Sequence, residues 1–261
     1  MLTKDAGICI RAVDYSETSQ IVTFFTRATG KLSAIAKGSK RPKSAFDGAI
    51  EVFAYGKIVV SIPNKEKLAT LTEFEQSLNF SRLADNLCTL NCSFFAAELI
   101  NLLTNEYDPH PELFDSFLQF LQNANEIRAS SIEYQASSIE YRNTLSLLIL
   151  FQLALLKEIG LQPVLNACVN CKSDYCHSRA SGNWLEVYFS SSANGLVCRD
   201  CQGSFPDRIR LTKPAANCLS DLKLLADANE KTLDEIEKIL IRHFTEILQY
   251  PPKMAKYILQ T

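Results

Sequence analysis

Three short stretches near the start of the chain decide the fold of its first part: GICIRAV at residues 7–13, SQIVTFFT at 19–26 and KLSAIAK at 31–37. Each is rich in β-branched and aromatic residues, a composition typical of strands. Gly30 lies between the second and third stretches, in a position that suits a turn. The sequence therefore predicts three strands, of which the last two are joined by a turn at Gly30.

Two further stretches extend this β pattern. IEVFAYGKIVVSI at residues 50–62 could hold one strand or two, and KLATLTEF at 67–74 adds another. Five short strands in so few residues are typical of a small closed or sandwich-like β unit, with an oligonucleotide-binding (OB) barrel as one candidate. We therefore predict an α+β chain whose first domain, residues 1–78, is a β unit of this kind.

Helices are predicted from about residue 78 onward, because apolar residues there recur every three or four positions. The most apolar stretch, LSLLILFQLALL at 145–156, is interrupted by Gln152 and is shorter than the roughly 20 residues that span a bilayer. We expect a buried core helix that ends at Gly160, with Pro163 beyond it. The second predicted domain, residues 79–261, is therefore helical.

The last long helix is predicted to begin at a capping box, Thr232-Leu-Asp-Glu235, whose hydroxyl and carboxylate would satisfy free backbone amides. His243 lies beside the apolar face of this helix. No Asp or Cys of the helix is placed to pair with it, so we expect a packed core residue and not a metal ligand.

The charge of the chain is unevenly distributed. Its 261 residues have a net charge of −2, which by itself favours neither nucleic acid nor membrane as a partner. Residues 18–46, however, hold six cations and no acidic residue, and four of the six lie in the loop-like sequence Lys37-Gly-Ser-Lys40-Arg41-Pro-Lys43. Such a loop either contacts DNA phosphates or is a solvated charged surface. The candidate DNA-binding residues are Arg27, Lys31, Lys37, Lys40, Arg41 and Lys43.

The helical pattern is interrupted at residues 164–206, which contain two C-x-x-C motifs, Cys168-Val-Asn-Cys171 and Cys198-Arg-Asp-Cys201. Four thiolates in two such pairs are the ligand set of a structural zinc site, which leaves no open position for catalysis. The chain has nine cysteines, an odd number, and no recognisable signal peptide. Both features favour a reducing, cytoplasmic compartment.

Two features keep other interpretations open. Cys176 or His177, between the two pairs, could replace one zinc ligand. His110-Pro-Glu112 matches the H-x-E part of the zinc deaminase signature, so a zinc-dependent enzyme acting on nucleobases or nucleic acid is the alternative function. That signature also requires Pro before its C-x-x-C pair, whereas Ala167 and Val197 precede the pairs here.

One series of short motifs runs through most of residues 1–205 in a fixed order. It consists of Glu17, Ile21–Thr23, Thr26, Gly30-Lys31, Ala36-Lys37-Gly38, Ser44, Glu98-Leu99, Leu113-Phe114, Gly160-x-x-Pro163 leading into Cys168-x-x-Cys171, and Asn194-Gly195-Leu196-Val197-Cys198-x-x-Cys201. This order resembles that of the RecO family of bacterial recombination mediators. The resemblance implies an N-terminal OB barrel, a helical domain with a zinc-binding insert at about 164–206, and no catalytic turnover.

The resemblance also implies a function and partners. RecO-like proteins bind single- and double-stranded DNA, engage the C-terminal tail of the single-strand binding protein SSB, pair with RecR, and help load RecA or anneal strands. We therefore expect a non-enzymatic mediator of DNA repair, in the cytoplasm with the nucleoid and not at a membrane. Because an SSB tail is acidic and ends in apolar residues, we also expect a groove whose rim carries cations from residues 156–261.

Overall fold

The computed structural model describes residues 2–41, 44, 46, 48–63, 68–127, 135–175 and 186–258. The chain divides into two compact units. The first consists of Met1–Leu83 and Ala97–Asn125, and the second of Ala84–Ala96 and Glu126–Thr261. The β domain predicted over residues 1–78 thus forms one unit together with a later helical segment.

A closed five-stranded barrel forms the core of the first unit. Its strands are β1 (Leu2–Asp14), β2 (Gln20–Thr26), β3 (Gly30–Ala36), β4 (Tyr55–Ser61) and β5 (Ala69–Leu78). Their order around the barrel is β1-β2-β3-β5-β4, and only the β3–β5 pair is parallel. The predicted N-terminal sheet is confirmed, and the stretch 50–62 holds a single strand. Because the sheet closes into a barrel, it has no unpaired edge strand.

The barrel is packed on two sides, as Phe24 and Phe25 illustrate. Successive residues of a strand face opposite sides of a sheet, yet both rings are fully buried. Phe24 lies in the barrel core, with its ring centroid 5.5 Å from that of Phe74. Phe25 packs instead against Phe114 of helix α2 (Pro111–Glu126), at 6.0 Å between centroids. Helix α2 therefore covers part of the outer surface of the barrel.

The turn between β2 and β3 lies against the segment that precedes α2. Gly30 has a φ of +81°, which favours glycine, and a Cβ at this position would lie 2.2 Å from the backbone oxygen of Asp108. The next residue, Lys31, accepts a hydrogen bond at its backbone oxygen from the Tyr107 amide at 2.9 Å. Any side chain at residue 30 would therefore force this segment away from the barrel.

Helices α3 (Gln135–Glu158), α4 (Lys213–Ser220) and α5 (Glu230–Leu248) form the second unit with the first part of α1 (Leu87–Leu103). In the described part of the chain, α3 is the one helix long and apolar enough to cross a membrane, over Ser138–Glu158. However, 61% of its most apolar stretch is buried in the protein, and Gln152 within it donates to Glu237 of α5 at 2.7 Å. Helix α3 is therefore a core helix, as predicted.

Helix α5 begins earlier than predicted. Its N-cap is Asn229, whose side chain accepts from the Thr232 amide at 3.0 Å, while Thr232 itself is buried inside the helix. Asn caps a helix as well as Ser or Thr does, so the predicted capping box was wrong. His243 is buried, as predicted, with its ring edge-on to Phe189. Burial lowers the pKa of His243 to about 4, so the ring is neutral at physiological pH.

A small antiparallel sheet, which the sequence did not predict, lies in the second unit. Its strands are β6 (Val187–Ser190), β7 (Gly195–Cys198) and β8 (Ile209–Leu211), in the order β7-β6-β8. Strands of three or four residues are too short to display the alternation by which strands are recognised. This sheet carries one of the two C-x-x-C motifs.

Candidate metal centre and nucleic-acid interface

The four cysteines predicted as metal ligands come together at β7. Gly195 begins this strand, and a Cβ there would lie 2.4 Å from the backbone oxygen of Val164. Because the glycine allows this approach, the Leu196 amide donates to the Val164 oxygen at 2.8 Å. The loop that carries the first C-x-x-C motif is thereby held along β7, and the Cys198 amide lies 3.5 Å from the sulfur of Cys168.

The sulfur atoms form a cluster that fits one metal ion. All four lie within 4.8 Å of one another, and those of Cys171 and Cys198 are 3.7 Å apart. Tetrahedral coordination with metal–sulfur distances of about 2.3 Å places sulfurs about 3.8 Å apart. None of the four is in a disulfide; Cys168 and Cys198 are buried, Cys201 is partly buried and Cys171 is exposed. The cluster could therefore hold a metal ion with little rearrangement.

Hydrogen bonds and burial act in opposite directions on the sulfurs of the cluster. The Asn170 side-chain amide donates to the sulfur of Cys201 at 3.3 Å. Hydrogen bonds with the side chain and backbone of Ser173 lower the pKa of Cys171 to about 6, whereas burial raises the pKa of Cys198 to about 12. A thiolate is the metal ligand, so a bound cation would have to displace the proton of Cys198.

Among the described residues, no other candidate ligand joins this cluster. Cys176 and His177 lie outside the described residues. The ring nitrogen Nε2 of His110 lies 3.5 Å from the Asp108 carboxylate. In the described ranges, the four cysteines are the only group of three or more potential ligands whose atoms are this close. A zinc deaminase also uses a histidine ligand, or three cysteines with a bound water, and a catalytic Glu. The closed four-cysteine cluster therefore argues against that alternative.

The predicted basic loop follows β3 and is fixed at its base by the start of β2. The Lys40 amide donates to the backbone oxygen of Thr18 at 3.1 Å. The buried hydroxyl of Ser39 donates to the side chain of Gln20 at 2.9 Å, and Gln20 in turn binds both backbone groups of Ile50. The loop is thus a defined structure that places three cations at the surface: Lys37, Lys40 and Arg41.

One of these cations has an acidic partner that the sequence pattern did not indicate. The Lys40 ammonium lies 2.7 Å from the carboxylate of Asp14, at the end of β1. Within the described ranges, no such ion pair is found for Lys37 or Arg41, and Lys43 lies outside those ranges. A surface pair such as Lys40–Asp14 contributes little to stability, so the lysine can exchange the carboxylate for a phosphate at small cost.

The two remaining candidates, Arg27 and Lys31, differ from the loop cations. Arg27 is exposed and makes a two-pronged pair with Asp115 of α2, with both contacts at 2.9 Å. The ammonium of Lys31 is buried and donates to the backbone oxygens of Asn101 and Thr104, each at 2.6 Å, at the C-terminal end of α1. Cations stabilise that end of a helix. This placement argues against direct phosphate contact by Lys31.

Aromatic residues near the basic loop are candidate platforms for stacked bases. Phe24, Phe25 and Phe53 are buried, so they are unavailable to a base. Phe46 and Tyr55 are partly exposed. Charge, more than an exposed aromatic row, is therefore the feature by which the described part of the barrel could attract nucleic acid.

A groove in the second unit has the composition expected for an acidic, apolar-ended peptide. It has a volume of about 500 Å³, lies beside β8 and the first half of α5, and is lined by Ile209, Ile239, Lys231, Lys238, Arg242, Asp234 and Glu235. Both carboxylates already accept hydrogen bonds within the protein. Asp234 accepts from the Tyr141 hydroxyl, and Glu235 accepts from the amide and hydroxyl of Thr212. The groove therefore carries three cations and two hydrogen-bonded carboxylates around an apolar floor, a net charge of +1.

Comparisons with known proteins agree with this arrangement. Residues 1–80 match the family described as Recombination protein O N terminal, and residues 85–254 match Recombination protein O C terminal. The chain is 30% identical to the DNA repair protein RecO of Bacillus subtilis (strain 168), over 94% of this chain and 89% of that protein. It is 29% identical to the DNA repair protein RecO of Rhodopirellula baltica, over 87% of this chain and 77% of that protein. The chain belongs to the RecO family of DNA repair proteins, which act in recombination and are not enzymes.

Proposed function

We propose that this chain is a recombination mediator that binds single- and double-stranded DNA through its barrel and anneals complementary strands. The observation that carries this proposal is the basic loop, in which Lys37, Lys40 and Arg41 are held together at the surface of a closed five-stranded barrel. We propose that the barrel is an OB fold, an architecture that binds oligonucleotides in many proteins. Lys43, which lies outside the described residues, stays a predicted phosphate contact, and Lys31 is left out because its ammonium is buried.

The four-cysteine cluster is proposed to hold Zn²⁺ in a structural role. Four sulfur ligands suit a soft cation, and they fill all tetrahedral positions so that no water is left to activate. The ion would join the loop of the first C-x-x-C motif to β7 and so brace the two C-x-x-C segments against each other. A protein of this function is expected in the cytoplasm, associated with the nucleoid.

The groove beside α5 is proposed as the docking site for the C-terminal tail of SSB. Lys231, Lys238 and Arg242 would pair with the acidic residues of the tail, while Ile209 and Ile239 would contact its apolar end. Binding of the tail would bring the barrel to SSB-coated strands. RecR is the proposed partner in the next step, in which RecA is loaded onto the exposed strand.

The DNA proposal is tested by the salt dependence of binding to a single-stranded oligonucleotide. Each phosphate contact adds about 0.7 to the slope of log affinity against log salt concentration on single strands. Changing Lys37, Lys40, Arg41 and Lys43 to Ala should therefore reduce that slope by up to about 3, with little dependence on sequence.

A matched control removes cations from another surface of the same barrel. Lys4 and Lys57 are exposed beside the carboxylates of Asp5, Glu73 and Glu75, so a DNA backbone should avoid them. The variant Lys4→Ala/Lys57→Ala should keep the wild-type slope. If the loop variant also keeps that slope while its affinity falls, the loop supports folding, and the solvated-surface interpretation is correct.

A further inference from the structure

The last described segment of the chain, residues 249–258, presents a second surface with the chemistry of a single-strand binding site. A short 3₁₀ helix, Lys253–Tyr257, follows α5. On one side it is anchored by Pro252, Ala255 and Ile258, which are buried at the three-residue spacing of a 3₁₀ helix. The anchoring fixes the backbone and leaves the other side chains of the segment at the surface.

The exposed side of this segment combines two cations with two aromatic rings. Lys253 and Lys256 are three residues apart in the 3₁₀ helix, a spacing at which side chains eclipse each other, and Tyr250 lies three residues before Lys253 in the chain. Tyr250 is 51% exposed and Tyr257 is 50% exposed, so both rings are accessible from solvent. The Lys256 ammonium lies 4.7 Å from the centroid of the Tyr257 ring. These four residues are called the C-terminal stripe below.

The charge of the segment matches a polyanion. No acidic residue occurs from residue 247 to residue 258. At a rise of about 2.0 Å per residue, the two lysines are separated by about 6 Å along the 3₁₀ axis. This is close to the axial rise of two stacked nucleotides, at about 3.4 Å each. Half-exposed rings beside such cations can stack on bases of any sequence while the ammonium groups neutralise the adjacent phosphates.

We propose that the C-terminal stripe is a second binding site for single-stranded DNA, separate from the basic loop of the barrel. The proposal rests on the proposed function, because a protein that anneals complementary strands must hold two of them. The occupant is a nucleic acid and not an acidic peptide, because half-exposed rings among cations suit stacked bases and phosphates, whereas the groove beside α5 offers a peptide an apolar floor.

The first test is the salt dependence of binding to a single-stranded oligonucleotide. Lys253→Gln/Lys256→Gln should reduce the slope of log affinity against log salt by about 1.4, at about 0.7 per contact. The matched control is Lys213→Gln/Lys223→Gln, which removes two exposed lysines of the same unit that lie in neither the stripe nor the groove and should leave the slope unchanged. Tyr250→Ala should lower the affinity at least about fivefold, and Tyr250→Phe should restore it, because stacking needs only the ring.

The outcomes separate this inference from the proposed function. If the wild-type protein does not bind single strands at all, the proposed function fails. If the loop variant lowers the slope but the stripe variant keeps it, the proposed function stands and the second site is wrong. If the stripe variant keeps the slope but loses binding to an acidic peptide with an apolar end, the stripe is a peptide site, and the inference is overturned. The stripe variant should also anneal complementary strands more slowly than the wild type if its slope of log affinity against log salt is reduced.

Discussion

The buried carboxyl group of Glu237 in α5 should make the second unit less stable as the pH rises. Its side chain is completely buried, one oxygen accepts from Gln152 at 2.7 Å, and the other has no hydrogen-bond partner in the described structure. Burial raises the pKa of Glu237 to about 8, from an ordinary value of 4.5. Between these values the folded protein retains a proton that the unfolded chain releases, so the free energy of unfolding falls as pH increases.

The expected magnitude follows from the two pKa values. Between pH 5 and pH 7, the free energy of unfolding should fall by about 2–3 kcal/mol because of this group alone. Glu237→Gln preserves the shape and the hydrogen-bonding capacity of the side chain but cannot ionise. The variant should therefore gain about 2–3 kcal/mol over the wild type across that interval, with the contributions of other titrating groups cancelling in the difference.

The assay is urea unfolding of both proteins at several pH values, followed by circular dichroism at 222 nm, which reports mainly on the helices. Glu246→Gln, an exposed carboxylate on the same helix, serves as the matched control and should differ from the wild type by a constant amount. A difference between Glu237→Gln and the wild type that stays constant from pH 5 to pH 7 would refute the reasoning. It would mean that the buried carboxyl group ionises in the folded protein at an ordinary pH.

Three further changes test other parts of the structure. Atomic absorption should find about one zinc ion per chain, and Cys198→Ser should reduce that content. Replacing Cys218, a buried cysteine outside the cluster, by Ser should leave it unchanged, and full zinc retention in Cys198→Ser would contradict the metal site. Gly30→Ala should lower the free energy of unfolding of the first unit by about 1–3 kcal/mol or more, because the φ of residue 30 is positive and the Asp108 backbone occupies the space of a Cβ. The control Gly203→Ala places its Cβ in open space, and an equal loss of stability in the two variants would contradict this reasoning. Lys31→Met should lower the free energy of unfolding, measured with urea, by about 1–3 kcal/mol, because two backbone oxygens at the end of α1 lose their hydrogen-bond donor. The salt dependence of DNA binding should not change, and a reduced slope would mean that Lys31 contacts DNA after all.

The barrel could be predicted from sequence because its signals are local. Each strand has β-branched and aromatic residues within a few positions, and the turn at Gly30 lies inside the same stretch. The inclusion of residues 97–125 in the first unit could not be predicted in this way. It depends on contacts between distant parts of the chain, such as the approach of Gly30 to Asp108 and the packing of Phe25 on Phe114.

The same distinction applies to the sites. The spacing of the C-x-x-C motifs is a property of short segments, so the four sulfurs could be grouped from the sequence alone. The buried position of the Lys31 ammonium could not be predicted from the sequence. A basic residue in a strand has the same sequence pattern whether its ammonium is in solvent or donates to the end of a helix. The Lys40–Asp14 pair and the groove between β8 and α5 likewise join segments that are remote in sequence. Charge counts along the chain identified the basic region but not which of its cations are exposed.

The central claim, that this chain reaches DNA through the SSB coat, is tested most directly by its recruitment to SSB-coated single strands. Fluorescently labelled protein would be mixed with strands coated either by full-length SSB or by SSB that lacks its C-terminal tail, and the bound fraction measured. We predict recruitment by full-length SSB, its loss with the tail-less form, and retained binding to naked strands. Lys231→Glu/Lys238→Glu in the groove should reproduce that loss with full-length SSB. Equal recruitment by tail-less SSB would contradict the account and would leave a DNA-binding protein without a mediator mechanism.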